Sequence, residues 1–234
     1  MCNSSKEACF ELPLIYANAR YLGRPTMNKY ITEFIGTFFL VLTIGCAVVI
    51  GGAGVIAPLA IGSILMVMIY AGGHVSGGHY NPAVTLGVWV RGRCATKDVI
   101  PYWAAQLCGA VIAAVVLNYL KGEAQAKSMV LKPGPALLAE FLFTFALVYV
   151  VLNSATAKSN AGNSFYGLAI GFTVMSGAFA VGSISSAAFN PAVAVGISVM
   201  GLSSWSNIWI YFVANLAGGL VAGLVFKFIN PTDT

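Results

Sequence analysis

Apolar positions along this chain come in long unbroken blocks and do not alternate with polar ones. The blocks cover residues 28–50, 55–75, 99–120, 135–153, 164–182 and 205–228. As helices rising 1.5 Å per residue, each is long enough to cross roughly 30 Å of hydrocarbon. Two shorter apolar pieces, 81–90 and 190–200, reach only about half that depth, as re-entrant segments do. The pattern predicts six spans and two half-spans.

Each half-span opens with the same signal. Gly77-Gly78-His79-Tyr80 runs into Asn81-Pro82-Ala83-Val84, and Ala187-Ala188-Phe189 runs into Asn190-Pro191-Ala192-Val193. Asn is a preferred N-cap, and Pro suits the first helical position because its missing N–H would be unsatisfied there in any case. Each motif therefore predicts the start of a short helix.

The two copies lie 109 residues apart, and the register extends well beyond them. Leu59-Ala60-Ile61-Gly62 matches Leu168-Ala169-Ile170-Gly171, while Gly73 and Ser76 match Gly182 and Ser185. Gln106 falls on Asn215 and Gly109 on Gly218; Glu33 falls on Glu140 at an offset of 107. Three spans per repeat is an odd number, so the second repeat must be inverted in the membrane. Inverted repeats place their site near the midplane, where broken helices meet. The expected organisation is a tail over 1–27, a first repeat over 28–120, a connecting loop over 121–134, a second repeat over 135–228 and a tail over 229–234. The fold class is an all-α membrane protein: six transmembrane helices, two re-entrant half-helices and inverted three-helix repeats.

Composition agrees. Charged residues make up 8% of the 234 and hydrophobic ones 59%, where an average soluble domain carries roughly 25% charged residues. Too few charges remain to cover a water-facing surface, so the surface faces a lipid bilayer. The twelve Lys and Arg cluster at segment ends, a pattern of membrane orientation and not of nucleic-acid binding. With the termini cytoplasmic, Lys6, Arg20, Arg24, Lys29, Arg91, Arg93, Lys97, Lys158 and Lys227 fall inside. Lys121, Lys127 and Lys132 fall outside on the connecting loop. The first 26 residues lack a continuous apolar stretch and do not read as a signal peptide. Met27 offers an alternative start, since everything diagnostic follows it. Cys2, Cys9, Cys46, Cys94 and Cys108 have no metal-ligand spacing and predict no disulfide framework.

The candidate chemistry is sparse. Asn81 and Asn190 can cap their half-helices and present side-chain N–H donors to the space between them. Two helix N-termini, each carrying roughly half a positive charge, would make a central barrier to cations while a neutral lone-pair donor such as water passes. Glu33 and Glu140 are the acidic residues deep in apolar blocks. They read either as a proton or ion relay or, preferably, as acceptors for backbone N–H groups in irregular loops expected over 72–80 and 181–189. His74 and His79 lack companions for a metal site and are expected to hydrogen-bond within the first loop. No metal, no cofactor and no enzymatic nucleophile–base pair is predicted.

The decapeptide Ser76 to Thr85, the second Asn-Pro-Ala, the paired glutamates and the Gln106/Asn215 pair together resemble the major intrinsic protein family of aquaporins and aquaglyceroporins. The likeness covers essentially residues 28–228. It implies a homotetramer with one pore per protomer, held in the cell membrane and conducting water or small neutral solutes passively. It also implies a ladder of lining carbonyls from Gly77, Gly78, His79 and Tyr80, and from Ser186, Ala187, Ala188 and Phe189.

One position departs from the family. Where members usually carry an Arg after the second Asn-Pro-Ala, this chain has Val193. The other filter positions implied by the likeness are Ile61, Ala178 (or Gly177) and Ala187. Such a set has no aromatic ring, charge or side-chain donor. The expectation is a wide apolar filter that admits small uncharged solutes such as glycerol, urea or ammonia, and excludes ions. A coupled secondary transporter and a structural membrane protein with an occluded pore are the competing readings.

Overall fold

The computed structural model describes residues 26–233. The expected N-terminal tail up to residue 25, with its basic residues and Cys2 and Cys9, lies outside the described residues. Eight α-helices follow in order: α1 Thr26–Gly45, α2 Ala57–Ser76, α3 Pro82–Val90, α4 Thr96–Leu120, α5 Pro133–Val151, α6 Tyr166–Ser185, α7 Pro191–Val199 and α8 Ile208–Ile229. Six of these, with their terminal turns, are long and apolar enough to cross a membrane. The half-helices α3 and α7 are nine residues each. No β-strand occurs among the described residues.

Several boundaries move from the sequence reading, each for a local reason. The half-helices begin at Pro82 and Pro191 because Asn81 and Asn190 hold extended backbone as N-caps, with side-chain oxygens accepting from Ala83 and Ala192 N–H at 2.8 and 2.9 Å. α2 and α6 continue to Ser76 and Ser185, so the irregular loops are only 77–81 and 186–190, half as long as expected. His74 therefore sits in the last turn of α2, exposed, and not in the loop. Both α1 and α5 run on into a wider π-type turn, Cys46–Ile50 and Leu152–Thr156.

The packing repeats with the sequence. α1 packs on α4 as α5 packs on α8; α3 lies against α8 and α7 against α4, so each half-helix is held by a helix of the other repeat. α2 and α6 cross at Gly62 and Gly171. A Cβ on either glycine would come within 2.6 or 2.5 Å of the other's carbonyl oxygen. Gly109 meets Phe34 and Gly218 meets Phe141 in the same way, at 2.6 and 2.7 Å. Lipid tails offer no hydrophobic driving force between helices, and close backbone approach at small residues is what holds such bundles together.

Candidate functional site

The loops 77–81 and 186–190 cross the interior without helical hydrogen bonds, and buried backbone N–H groups must find partners inside the protein. Glu33 supplies them in the first repeat. Its Oε1 accepts from Ser76 Oγ at 2.6 Å and His79 N–H at 2.9 Å; its Oε2 accepts from Tyr80 N–H at 2.6 Å and Gln106 Nε2 at 2.8 Å. Glu140 does the same in the second. It accepts from Ser185 Oγ at 2.7 Å, Ala188 N–H at 2.9 Å and Phe189 N–H at 2.7 Å. Both carboxylates are fully buried. Two oxygens that only accept are what an ionised carboxylate offers.

Tyrosines finish each turn. Tyr102 donates to the Ser76 carbonyl at 2.7 Å, and Tyr211 to the Ser185 carbonyl at 2.9 Å. His79 Nδ1 lies 3.1 Å from Thr85 Oγ1, which ties the first loop to its own half-helix.

The half-helices meet through their caps. Asn81 Nδ2 donates to the Phe189 carbonyl at 2.8 Å, and Asn190 Nδ2 donates to the Tyr80 carbonyl at 2.8 Å. Each amide therefore spends one N–H on the opposite loop, and its second N–H is the one left for a passing molecule. Sequence reasoning missed this cross-link, because nothing local to either motif signals a partner 108 or 110 residues away.

One cavity lies at this junction and a second, larger one adjoins it. The inner one is about 30 Å³, room for a water or two. Gly78, His79, Tyr80, Asn81, Ala188 and Asn190 line it on the polar side, facing aliphatic side chains such as Leu65, Ile69, Leu147 and Ile170. The outer cavity is about 290 Å³ and is lined by Ile61, Ala178, Ala187 and Val193 among others. Of the residues expected to present carbonyls, Ser186 faces the outer cavity, while Gly77 and Phe189 line neither. Ala178 takes the α6 position; Gly177 packs instead against Phe189 and Phe143, where a Cβ would come within 2.7 Å of both rings.

Ile44, Ile61, Ala187 and Val193 line both cavities and so form the neck between them. Ile44 had no sequence signal, since it looks like any other apolar residue near the end of a span. Lys127 and Met129 also reach the outer cavity from the connecting loop. The Met129 N–H donates to the Leu202 carbonyl at 3.3 Å and helps fix that loop there.

With two capped half-helices joined end to end across a pseudo-twofold, the comparison with known proteins is direct. The model of the major intrinsic protein family matches residues 23–226. The chain belongs to the major intrinsic protein family. Among its relatives, Aquaporin Z of Brucella melitensis is 34% identical over 232 residues, covering 88% of this chain and all of that one. Probable aquaporin NIP4-2 of Arabidopsis thaliana is 35% identical over 217 residues, covering 88% and 76%. Aquaporin TIP1-1 of the same plant is 39% identical over 175 residues, covering 72% and 69%. In fold, the chain resembles the aquaglyceroporin from Plasmodium falciparum, with a TM-score of 0.73 at 22% identity, covering 88% and 98%. This major intrinsic protein is an integral, multi-pass membrane channel for water and small solutes, and not an enzyme.

Proposed function

We propose that this channel is permissive, passing small uncharged solutes as well as water through an aliphatic neck. The observation that carries the reading is the neck itself. Ile44, Ile61, Ala187 and Val193, the residues shared by the outer and inner cavities, include no charge, no ring and no side-chain donor. An apolar constriction favours solutes that carry some lipophilic surface and gives ions nothing in exchange for their hydration shell. Ala178 widens the approach on the outer side.

Asn81 and Asn190, with Pro82, Ala83, Pro191 and Ala192 behind them, form the central checkpoint on this reading. Positive helix ends repel cations, and each free amide N–H donates to one oxygen at a time. Glu33 and Glu140 act as anchors for the loops and not as a relay: neither lines either of these two cavities, and both carboxylates accept from backbone N–H groups of the loops. That placement also disfavours a transporter driven by protons. We further infer cytoplasmic termini, supported by the bias of basic residues, and a homotetramer, supported by the likeness to the family.

Reconstituted protein should take up glycerol, urea or ammonia as well as water, with rates insensitive to proton and sodium gradients. Water permeation with no uptake of any of the three would overturn the permissive reading. Val193→Arg is expected to narrow the neck and lower solute uptake about tenfold or more, the scale of about 1.4 kcal/mol in a barrier. Unchanged uptake would show that position 193 does not set the constriction.

A further inference from the structure

The outer cavity contains a combination that the transport of neutral solutes does not use. Its wall is aliphatic, with Ile44, Val48, Pro58, Ile197 and Leu202 alongside the neck residues, and among the described residues its one charged lining residue is Lys127. Among the described residues no Asp or Glu lines it, and no carboxylate forms an ion pair with Lys127. The connecting loop that brings Lys127 here is held against the second repeat by the Met129 to Leu202 hydrogen bond and by Gly201, where a Cβ would lie 3.7 Å from that of Ala126. At about 290 Å³ the space greatly exceeds what a file of waters needs.

We propose that the outer cavity binds short amphiphilic anions, with the charged head at Lys127 and an alkyl tail of a few carbons against the aliphatic wall above the neck. Charge complementarity selects the head, and apolar area selects the tail. A bound anion plugs the neck, because its tail lies over Ile61 and Val193 while its charge cannot follow through an aliphatic ring. The site is therefore inhibitory for water flux. The proposal rests on the neck described above being the path of permeation.

The test uses full-length channel in proteoliposomes and butane-1-sulfonate, which stays ionised and crosses bilayers poorly, present at equal concentration on both faces. Water efflux is read by stopped flow, with each variant normalised to its own uninhibited rate. The expected result is saturable inhibition by butane-1-sulfonate and none by butyltrimethylammonium. Inhibition should weaken about fourfold for each methylene removed on going to methanesulfonate. Lys127→Gln should raise the half-inhibiting concentration about fivefold, as for one charge removed at contact distance in water, and Lys127→Arg should restore it. High salt should weaken inhibition of the wild type and leave the residual effect on Lys127→Gln alone.

Equal inhibition of wild type and Lys127→Gln would overturn the proposal and mark a bilayer effect. Equal potency of methane- and butanesulfonate would overturn it too, since the apolar wall would then contribute nothing. So would an absence of inhibition. None of these outcomes alters the permissive reading, which is decided by uptake of neutral solutes; that reading can fail while anion block of water flux persists.

Discussion

The two re-entrant loops begin from the same plan, a buried glutamate, a serine, a tyrosine and an Asn cap, yet they are not held equally. In the first repeat Glu33 takes four donors. The fourth, Gln106, also reaches Thr85 Oγ1 at 3.0 Å, so one amide links the anchor to the half-helix α3. In the second repeat Asn215 is one methylene shorter and accepts from Thr144 Oγ1 at 3.0 Å, while Ala194 stands where Thr85 would be. The backbones differ as well. The first loop turns on Gly77 and Gly78 at φ 95° and 63°; the second puts Ser186 and Ala187 into the same region at 73° and 50°. Left-handed backbone costs a residue with a side chain about 1 to 2 kcal/mol. The more weakly tied and more strained loop is the one that supplies Ala187 to the neck and leads into the half-helix α7 that supplies Val193. The first repeat is built as a frame, and the second spends stability on the shape of the pore.

The sharpest way to break this comparison is to neutralise each anchor in turn. Glu33→Gln replaces an acceptor oxygen with an NH₂ group facing two donors. Turning Gln106 around relieves one of them only by giving up Thr85. The expected cost is about 3 kcal/mol, against about 2 kcal/mol for Glu140→Gln, where the less occupied oxygen accepts from the Phe189 N–H and the Asn215 amide beside it can turn without giving up a link to the half-helix. Thermal unfolding of the detergent-solubilised channel measures both. Equal losses, or a greater loss at Glu140, would show that the extra amide in the first repeat adds nothing.

The far ends of the half-helices differ too. Arg91 follows α3 where Met200 follows α7. Arg91 donates to Asp233 Oδ1 and to the Asp233 carbonyl, both at 2.7 Å, and to Thr156 Oγ1 at 3.1 Å, and it stacks 4.6 Å over the Phe226 ring. Asp233 Oδ2 in turn accepts from the Lys158 N–H at 2.9 Å. Burial alone would raise the Asp233 carboxyl; the Lys158 N–H and the Arg91 guanidinium outweigh it and hold the pKa below the usual carboxylate value. The linked stability is complete above the ordinary Asp pKa of about 3.9 and is lost as pH falls through the lower folded value. Asp233→Asn should cost about 2 kcal/mol at neutral pH and remove the acid-dependent part of the unfolding curve. Between pH 5 and 8 the wild-type pair should show no titration at all. A transition in that window that disappears in Asp233→Asn would contradict this assignment.

Much of this was legible in the sequence. Block length gave the spans, Asn-Pro gave the half-helix starts, and the offset of 109 gave the inversion. The neck was half legible. Ile61, Ala187 and Val193 follow by register from the motifs, whereas Ile44 does not: whether it faces lipid, core or lumen depends on how α1 is turned above the π-type turn at Cys46–Ile50. Lys127 was legible only as an outside charge, because no periodicity tells a loop where to fold. The pairing of Arg91 with Asp233 spans 142 residues and left no local trace.

The smallest expected effect bears most directly on the strained loop. Ala187→Gly removes a side chain from backbone at φ 50°, relieving about 1 kcal/mol or slightly more. The glycine also gains freedom in the unfolded chain, which returns about 0.5 to 1 kcal/mol. The net gain should be no more than about 0.5 kcal/mol. The same change takes one methyl out of the neck, so uptake of neutral solutes should rise even as the protein becomes marginally more stable. The equivalent position in the first loop is already Gly78, and Gly78→Ala should do the reverse: φ 63° is unsuited to alanine, and the new Cβ would sit 3.3 Å from the Gly73 Cα. If Ala187→Gly stabilises without changing uptake, residue 187 contributes strain but not shape. If uptake rises while stability falls, the left-handed turn at 187 is held by contacts of its methyl group, and the comparison between the loops reduces to their anchors.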